Sequence, residues 1–159
     1  MSSLRYFRPV SALAAAVVLS LLPGCGGTEN RLDPLLSRVD QARDAQALSS
    51  LVQGLTSAGL VRSESGGTYG SGPADLAQRL QERDPSKRFT IQSSVAPEQI
   101  QVMGGGAEPA MLVVRSASDA YLAVWLDASG TTLYYRGLAP PQFAADRPAG
   151  QGWSSTPPH

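Results

Sequence analysis

Residues 111–136 read MLVVRSASDAYLAVWLDASGTTLYYR, and this stretch decides the fold. Three apolar runs lie in it, at 111–115, 121–126 and 131–136, and short links rich in turn-forming residues separate them. Because such links are too short for a parallel crossover, we predict three consecutive antiparallel strands, a meander. Side chains alternate between the two faces of a strand, and the middle run is largely apolar on both. We therefore place this strand at the sheet centre, with one face against a helix.

A long helix is expected ahead of the strands, from about residue 32 to residue 58. Apolar residues recur there at three- and four-residue spacing: Leu32, Leu35, Leu36, Val39, Ala42, Leu48, Leu51, Val52 and Leu55. This spacing predicts one apolar stripe along an amphipathic helix. Pro34 suits the first helical turn, and Gly59 is expected to end the helix. The predicted fold class is α+β, with one long N-terminal amphipathic helix packed on an antiparallel meander sheet.

Weaker signals lie between the helix and the meander. A glycine-rich loop is expected at 63–72, a short helix at 73–82, and strands near 89–92 and 99–102. After residue 137 the chain is rich in Pro, Gly and Ala, which predicts a flexible tail over 138–159. A tryptophan in this tail, Trp153, either docks back onto the domain or is an exposed contact residue.

The N-terminus has the order of an export signal. Two arginines precede an apolar run of 13 residues at 10–22, shorter than the roughly 20 that a membrane-spanning helix needs. The run ends in Leu22, Pro23, Gly24 and Cys25, and Cys25 is the only cysteine of the chain. This arrangement resembles a bacterial lipoprotein signal peptide. Leu22 and Gly24 match the family's motif, whereas Pro23 departs from it because small residues are usual at that position.

The lipoprotein resemblance implies where the protein is held. In that family a diacylglycerol is attached to the cysteine sulfur, here Cys25, and the chain is cut before it. We therefore expect residues 1–24 to be a signal peptide and 25–31 to be a tether. The α+β domain would cover 32–137, and the tail 138–159. The expected location is the exported side of the cell membrane, with two acyl chains sufficient for a stable anchor.

The predicted domain also resembles the globular head of type IV pilins and pseudopilins. The resemblance covers 32–137 and rests on a long helix, a glycine-rich loop with a short helix, and a meander. Locally, residues 43–51 look like the point where a pilin helix enters the head, and Gly67-Thr68-Tyr69 is similar to the Gly-x-Tyr that often follows. The chain lacks the prepilin peptidase site, and its apolar segment precedes Cys25. The resemblance therefore implies a shared fold and a role beside an envelope machine, not a filament subunit.

Residue types argue against familiar catalytic chemistry. The only histidine, His159, is the last residue of the sequence, so no interior histidine is available as a base or metal ligand. Ser86 and Lys87 are interpreted as part of a helix-ending turn. Asp40 and Asp44 lie four residues apart and are interpreted as a solvated helix face. We expect no cofactor and no metal, and an enzyme would have to be of a kind that needs neither His nor Cys.

Function is expected to reside in surface contacts. After signal removal the chain would carry 11 basic and 13 acidic residues, a balance that disfavours nucleic-acid binding. The favoured hypothesis is a non-enzymatic envelope lipoprotein that contacts another protein. The alternative is a small-molecule or glycan binder that uses an aromatic sheet face. Under either hypothesis the candidate contact residues are aromatic: Tyr121, Trp125, Tyr134, Tyr135 and Trp153.

Overall fold

The computed structural model describes residues 33–93 and 96–158, and these form an α+β fold. Two helices come first, and a six-stranded sheet follows. The elements are α1 (Asp33–Glu64), α2 (Pro73–Arg83), β1 (Arg88–Thr90), β2 (Gln99–Gly104), β3 (Ala110–Arg115), β4 (Tyr121–Leu126), β5 (Thr132–Gly137) and β6 (Trp153–Ser154). The α+β class, the short second helix and the three strong strands agree with the sequence prediction.

The sheet is mixed rather than purely antiparallel. Strand order follows chain order from β1 to β6, and every neighbouring pair from β2 onward is antiparallel. β1 runs parallel to β2, with Phe89 opposite Ile100. The prediction of an antiparallel sheet is therefore wrong at this edge. Eight residues, 91–98, join the two strands, and this longer link lets the chain return to the starting end of β1.

β4 lies in the interior of the sheet, between β3 and β5, as the sequence predicts. We call one side of the sheet the helix face, to which β4 contributes Leu122, Val124 and Leu126. The opposite side is the tail face, to which β4 contributes Ala123 and Trp125. All five side chains are buried. Both sides of β4 therefore need a covering layer.

α1 covers the helix face through one side of its second half. Its buried residues alternate at spacings of four and three: Ala47, Leu51, Gly54, Ala58 and Val61. At Gly54 the helix backbone lies close to the sheet. A Cβ atom there would lie 3.1 Å from Leu112 Cδ1 and 3.6 Å from Phe89 Cε1. α2 adds Leu76 and Leu80 to the same core.

The first half of α1 departs from the predicted apolar stripe. Residues 36–43 are all exposed, including Leu36 at 60% and Val39 at 47%. Val52 is 44% exposed as well, because it lies off the side of α1 that packs on the sheet. The single stripe is therefore not the buried surface. The spacing predicts the helix correctly but cannot show where the sheet beneath it ends.

α1 also continues through Gly59, the residue expected to end it, as far as Glu64. Gly59 costs a helix about 1 kcal/mol relative to alanine. Two residues later Val61 is fully buried in the core. Burying a valine side chain stabilises by roughly 1.5 kcal/mol or more, so packing outweighs the helix propensity of one glycine.

The segment after β5 covers the tail face. β6 pairs with β5, with Trp153 opposite Tyr135. Phe143 packs against the same cluster, and a Cβ atom at Gly104 would lie 2.4 Å from its ring. Composition predicted a flexible tail over 138–159. Across 138–158 the structure instead places a short strand and two aromatic side chains against the sheet.

The close approach at Gly54 predicts unequal effects for two glycines of the same helix. Gly54→Leu should destabilise the fold by about 1–3 kcal/mol, because the new side chain has to displace Leu112 and Phe89. Gly59→Leu should be neutral or stabilising, since nothing lies within 4 Å of a Cβ atom there and helix propensity improves. Urea unfolding of both variants measures the difference. Equal effects would contradict the packing of α1 described above.

Candidate functional site

The five aromatic residues expected to form a contact surface do not share one open surface. Tyr121, Trp125, Tyr135 and Trp153 lie on the tail face, whereas Tyr134 packs beside the core on the helix face. Trp125 is only 2% exposed, and its Nε1 donates a hydrogen bond to a carbonyl oxygen of the tail at 3.1 Å. The centre of the aromatic face is therefore covered by the chain itself.

Trp153 docks back onto the domain, which is one of the two placements expected for it. Its ring centroid lies 5.3 Å from that of Tyr135, with the planes inclined at 51°. Tilted aromatic pairs of this kind contribute about 0.5–1.5 kcal/mol beyond their buried area. The Tyr135 hydroxyl donates to the Ala139 carbonyl oxygen at 2.9 Å. These two aromatic residues hold the tail on the sheet.

An open cleft of about 430 Å³ lies at the edge of the domain, away from the aromatic cluster. We call it the basic cleft. Its walls come from four separate parts of the chain: residues 43–50 of α1, 86–88 before and in β1, 96–99 before β2, and 114–117 at the end of β3. The residues of α1 at this cleft follow directly on the exposed turns 36–43. The basic cleft therefore opens at the end of the domain where α1 emerges.

Positive charge predominates in the basic cleft. Four of its lining residues are cationic, and Glu98 is the one acidic residue among the described residues that line it. Two of the cations have carboxylate partners outside the lining, at 3.4 Å for Arg43 and 2.6 Å for Arg115. Lys87 and Arg88 take part in none of the ion pairs found among residues 33–93 and 96–158.

Lys87 is the best-positioned of these cations. Its side chain is half-buried, and Nζ donates a hydrogen bond to Ser50 Oγ of α1 at 3.1 Å. A lysine ammonium has three N–H donors, so this neutral partner leaves further capacity for a ligand. The hydroxyl of Ser86, the residue before Lys87, donates to Asp84 in the turn that ends α2. The interpretation of this segment as a turn agrees with that contact.

Asp44 lies outside the solvated helix face expected for it. Arg136 Nη2 donates to its Oδ2 at 2.6 Å, and the Ser118 hydroxyl donates to its Oδ1. The Asp44 side chain is only 13% exposed. Burial opposes ionisation of this carboxyl, but the hydrogen bonds from Ser118 and Arg136 outweigh burial and lower its pKa. Asp44 thereby joins α1 to β5 and to the β3–β4 link.

Asp127 holds the hairpin between β4 and β5. Its Oδ1 accepts hydrogen bonds from the backbone N–H of Ser129 at 2.8 Å and of Thr131 at 2.7 Å. The Ser129 hydroxyl, which also donates to this oxygen, is the largest cause of the lowered pKa of Asp127. These contacts fit a structural turn. Within the described residues, no group of three or more His, Cys, Asp or Glu side chains is placed to share a metal ion.

Two structurally important residues carried only weak sequence signals for the positions they occupy. The sequence predicts that Tyr69 lies in a glycine-rich loop, yet it is 1% exposed and its hydroxyl donates to the Asp127 carbonyl oxygen at 2.9 Å. Burial raises the pKa of this phenol. For Lys87 the sequence predicts only a position in a helix-ending turn. A lone tyrosine among glycines and the only lysine in an arginine-rich chain were the available hints.

The predicted lipid-attachment site, Cys25, and the cleavage motif Leu22, Pro23 and Gly24 lie outside the described residues. No helix that the structure does describe has the length and apolar character of a membrane span. A scan of protein-family models, a search of curated proteins and a search of solved structures each returned no match. The lipoprotein and pilin resemblances therefore remain predictions from sequence.

The environment of Asp44 predicts an acid-dependent loss of stability. Its lowered pKa means that its contribution is fully present above the unfolded value of about 3.9 and is lost as pH falls through the lower folded value. Asp44→Asn should cost about 1–2 kcal/mol at pH 7 and flatten the pH dependence below pH 4. Asp40→Asn, in an exposed pair, should change stability by less than about 0.5 kcal/mol. Denaturant unfolding from pH 2 to 7 tests both, and identical profiles for the two variants would contradict this role.

Proposed function

We propose that this protein is a non-enzymatic envelope lipoprotein, anchored through a lipid on Cys25 and held on the exported side of the cell membrane. The single-cysteine motif Leu22-Pro23-Gly24-Cys25 after a short apolar run supports the anchor. In this proposal the α+β domain makes contacts with another protein of the envelope. Because the domain resembles a pilin head, the proposed role is that of an accessory protein beside a pilus or secretion-type machine.

The exposed start of α1 is the observation that carries the contact role. Residues 36–43 extend about 12 Å along the helix axis without a buried side chain. Leu36 and Val39 expose large apolar surfaces in this segment. Scattered exposed apolar residues are ordinary, but two of them three positions apart lie on one side of a helix and form a continuous strip. Such a strip suits a helix or groove on a partner protein.

The position of this strip agrees with an anchored protein. α1 begins at Asp33, eight residues after Cys25. The exposed turns therefore lie between the proposed lipid and the packed part of the domain. A contact made there would be close to the membrane surface, where other envelope proteins emerge. The aromatic-face alternative receives less support, because Trp125 is covered by the tail.

The anchor is tested by the intact mass of the protein extracted from membranes. We expect the mass of residues 25–159 plus lipid, and a Cys25→Ala variant should lose the lipid mass and accumulate with its signal peptide uncut. Membrane fractionation of both forms gives a second measurement. An unlipidated mass for the unaltered chain would contradict the anchor, whatever the domain contacts.

The contact role is tested separately by photo-crosslinking in intact cells. A photoreactive amino acid at Val39 should give a discrete adduct with one other polypeptide. The same group at Arg147, an exposed position in the tail, should give none and serves as the control. Val39→Asp should abolish co-purification of that polypeptide while leaving the melting temperature unchanged, since residue 39 is exposed. Equal labelling from both positions, or none from either, would contradict a specific contact at α1.

A further inference from the structure

The basic cleft combines excess positive charge with a volume suited to a small organic ligand. Ligand sites commonly have volumes of roughly 300–1,000 Å³, and the cleft measures about 430 Å³. Its four cationic residues face a single lining carboxylate among the described residues. The proposed anchor does not involve this cleft, and the proposed helix contact at 36–43 shares only Arg43 with it. Its charge therefore calls for a separate explanation.

The fold neutralises only part of the positive charge in this cleft. Arg43 and Arg115 have acidic partners, but Lys87 and Arg88 form no ion pair with any described residue. Lys87 is also half-buried, and the hydrogen-bond partner of its ammonium is the neutral hydroxyl of Ser50. A bound anion would supply the counter-charge that no described residue gives Lys87 through an ion pair.

The chemistry of the lining favours a phosphate group over a single carboxylate. A phosphate monoester carries close to two negative charges and three strong acceptor oxygens at neutral pH. Lys87 is a point charge whose ammonium has N–H donors beyond the one bound to Ser50. Arg43 lies seven residues before Ser50 on the same side of α1, so it lines the same cleft. The excess volume beyond one phosphate leaves room for an organic group.

We propose that the basic cleft is a binding site for a phosphate monoester, with Lys87 as its principal anchor and Arg43 as a second contact. The phosphate can belong to a soluble ester or to the headgroup of an anionic lipid. The cleft opens at the end of the domain from which α1 leaves toward Cys25. A lipid source rests on the proposed membrane anchor, whereas binding of a soluble ester does not.

The first arm of the test is calorimetric titration of the full chain, purified in a neutral detergent, with glycerol 3-phosphate. Saturable binding is expected, with no heat from glycerol. Lys87→Gln should weaken affinity about tenfold, because one charge-assisted hydrogen bond is lost. Arg147→Gln removes an exposed cation that does not line the cleft and should change affinity less than about twofold. Circular dichroism melting of each variant checks that the fold is retained.

Arg43→Gln is the second variant, and it keeps the proposal testable if Lys87→Gln fails to fold. Arg43 is exposed, so its loss should leave the melting temperature unchanged while weakening affinity about tenfold as well. Absence of saturable binding to both glycerol 3-phosphate and lipid would overturn the proposal. Equal losses from Lys87→Gln, Arg43→Gln and Arg147→Gln would also overturn it, because they would indicate general attraction to a charged surface.

The second arm identifies the source of the phosphate. Co-sedimentation is measured with phosphatidylcholine vesicles and with the same vesicles containing phosphatidic acid, whose headgroup is a phosphate monoester. All variants carry the same N-terminus, so any anchor contributes equally to each. Preference for phosphatidic acid that Lys87→Gln removes and Arg147→Gln keeps would assign a lipid ligand. Binding of glycerol 3-phosphate without that preference would assign a soluble ester and would leave the anchor proposal unaffected.

Discussion

The double-sided burial of the central strands is the constraint on which the rest of the structure depends. β3 and β4 carry apolar side chains on both faces, with Leu122 and Val124 on one side of β4 and Trp125 on the other. An antiparallel sheet that left one side open would alternate apolar with polar residues. This one needs two covers. α1 and α2 supply the first, and the chain after β5 supplies the second, with Phe143 packed over Gly104.

Because helices cover one face of the sheet and the tail covers the other, we propose that function resides at the edges of the domain. Tyr135 and Trp153 are predicted contact residues, yet in the structure they stabilise the attachment of the tail. The open surfaces of the described residues include the exposed turns of α1 at 36–43 and the basic cleft beside Lys87. Both include residues of α1, the described element that is nearest the predicted lipid site in sequence. The anchor, the contact strip and the anion site proposed here therefore form one consistent arrangement.

The fold could be predicted from sequence where a local pattern determines the geometry. Five-residue links around β4 force neighbouring strands antiparallel, and alternation assigns their faces, so the sheet centre could be predicted. The direction of β1 could not be predicted, because the link at 91–98 is longer than the links around β4 and permits either orientation. Composition concealed the packing of the tail, since its many Pro and Gly residues outnumber the two aromatic side chains that attach it. The basic cleft is formed by four segments that are distant in sequence, so no local motif predicts it.

The emission of Trp125 tests the double-sided burial most directly. In a Trp153→Phe variant of the full chain Trp125 is the only tryptophan, and phenylalanine keeps an aromatic ring against Tyr135. The account predicts blue-shifted emission and slow quenching by acrylamide, because Trp125 is 2% exposed and hydrogen-bonded to the tail. Emission typical of tryptophan in water, with rapid quenching in the folded protein, would mean that the tail does not cover the sheet and would contradict the account.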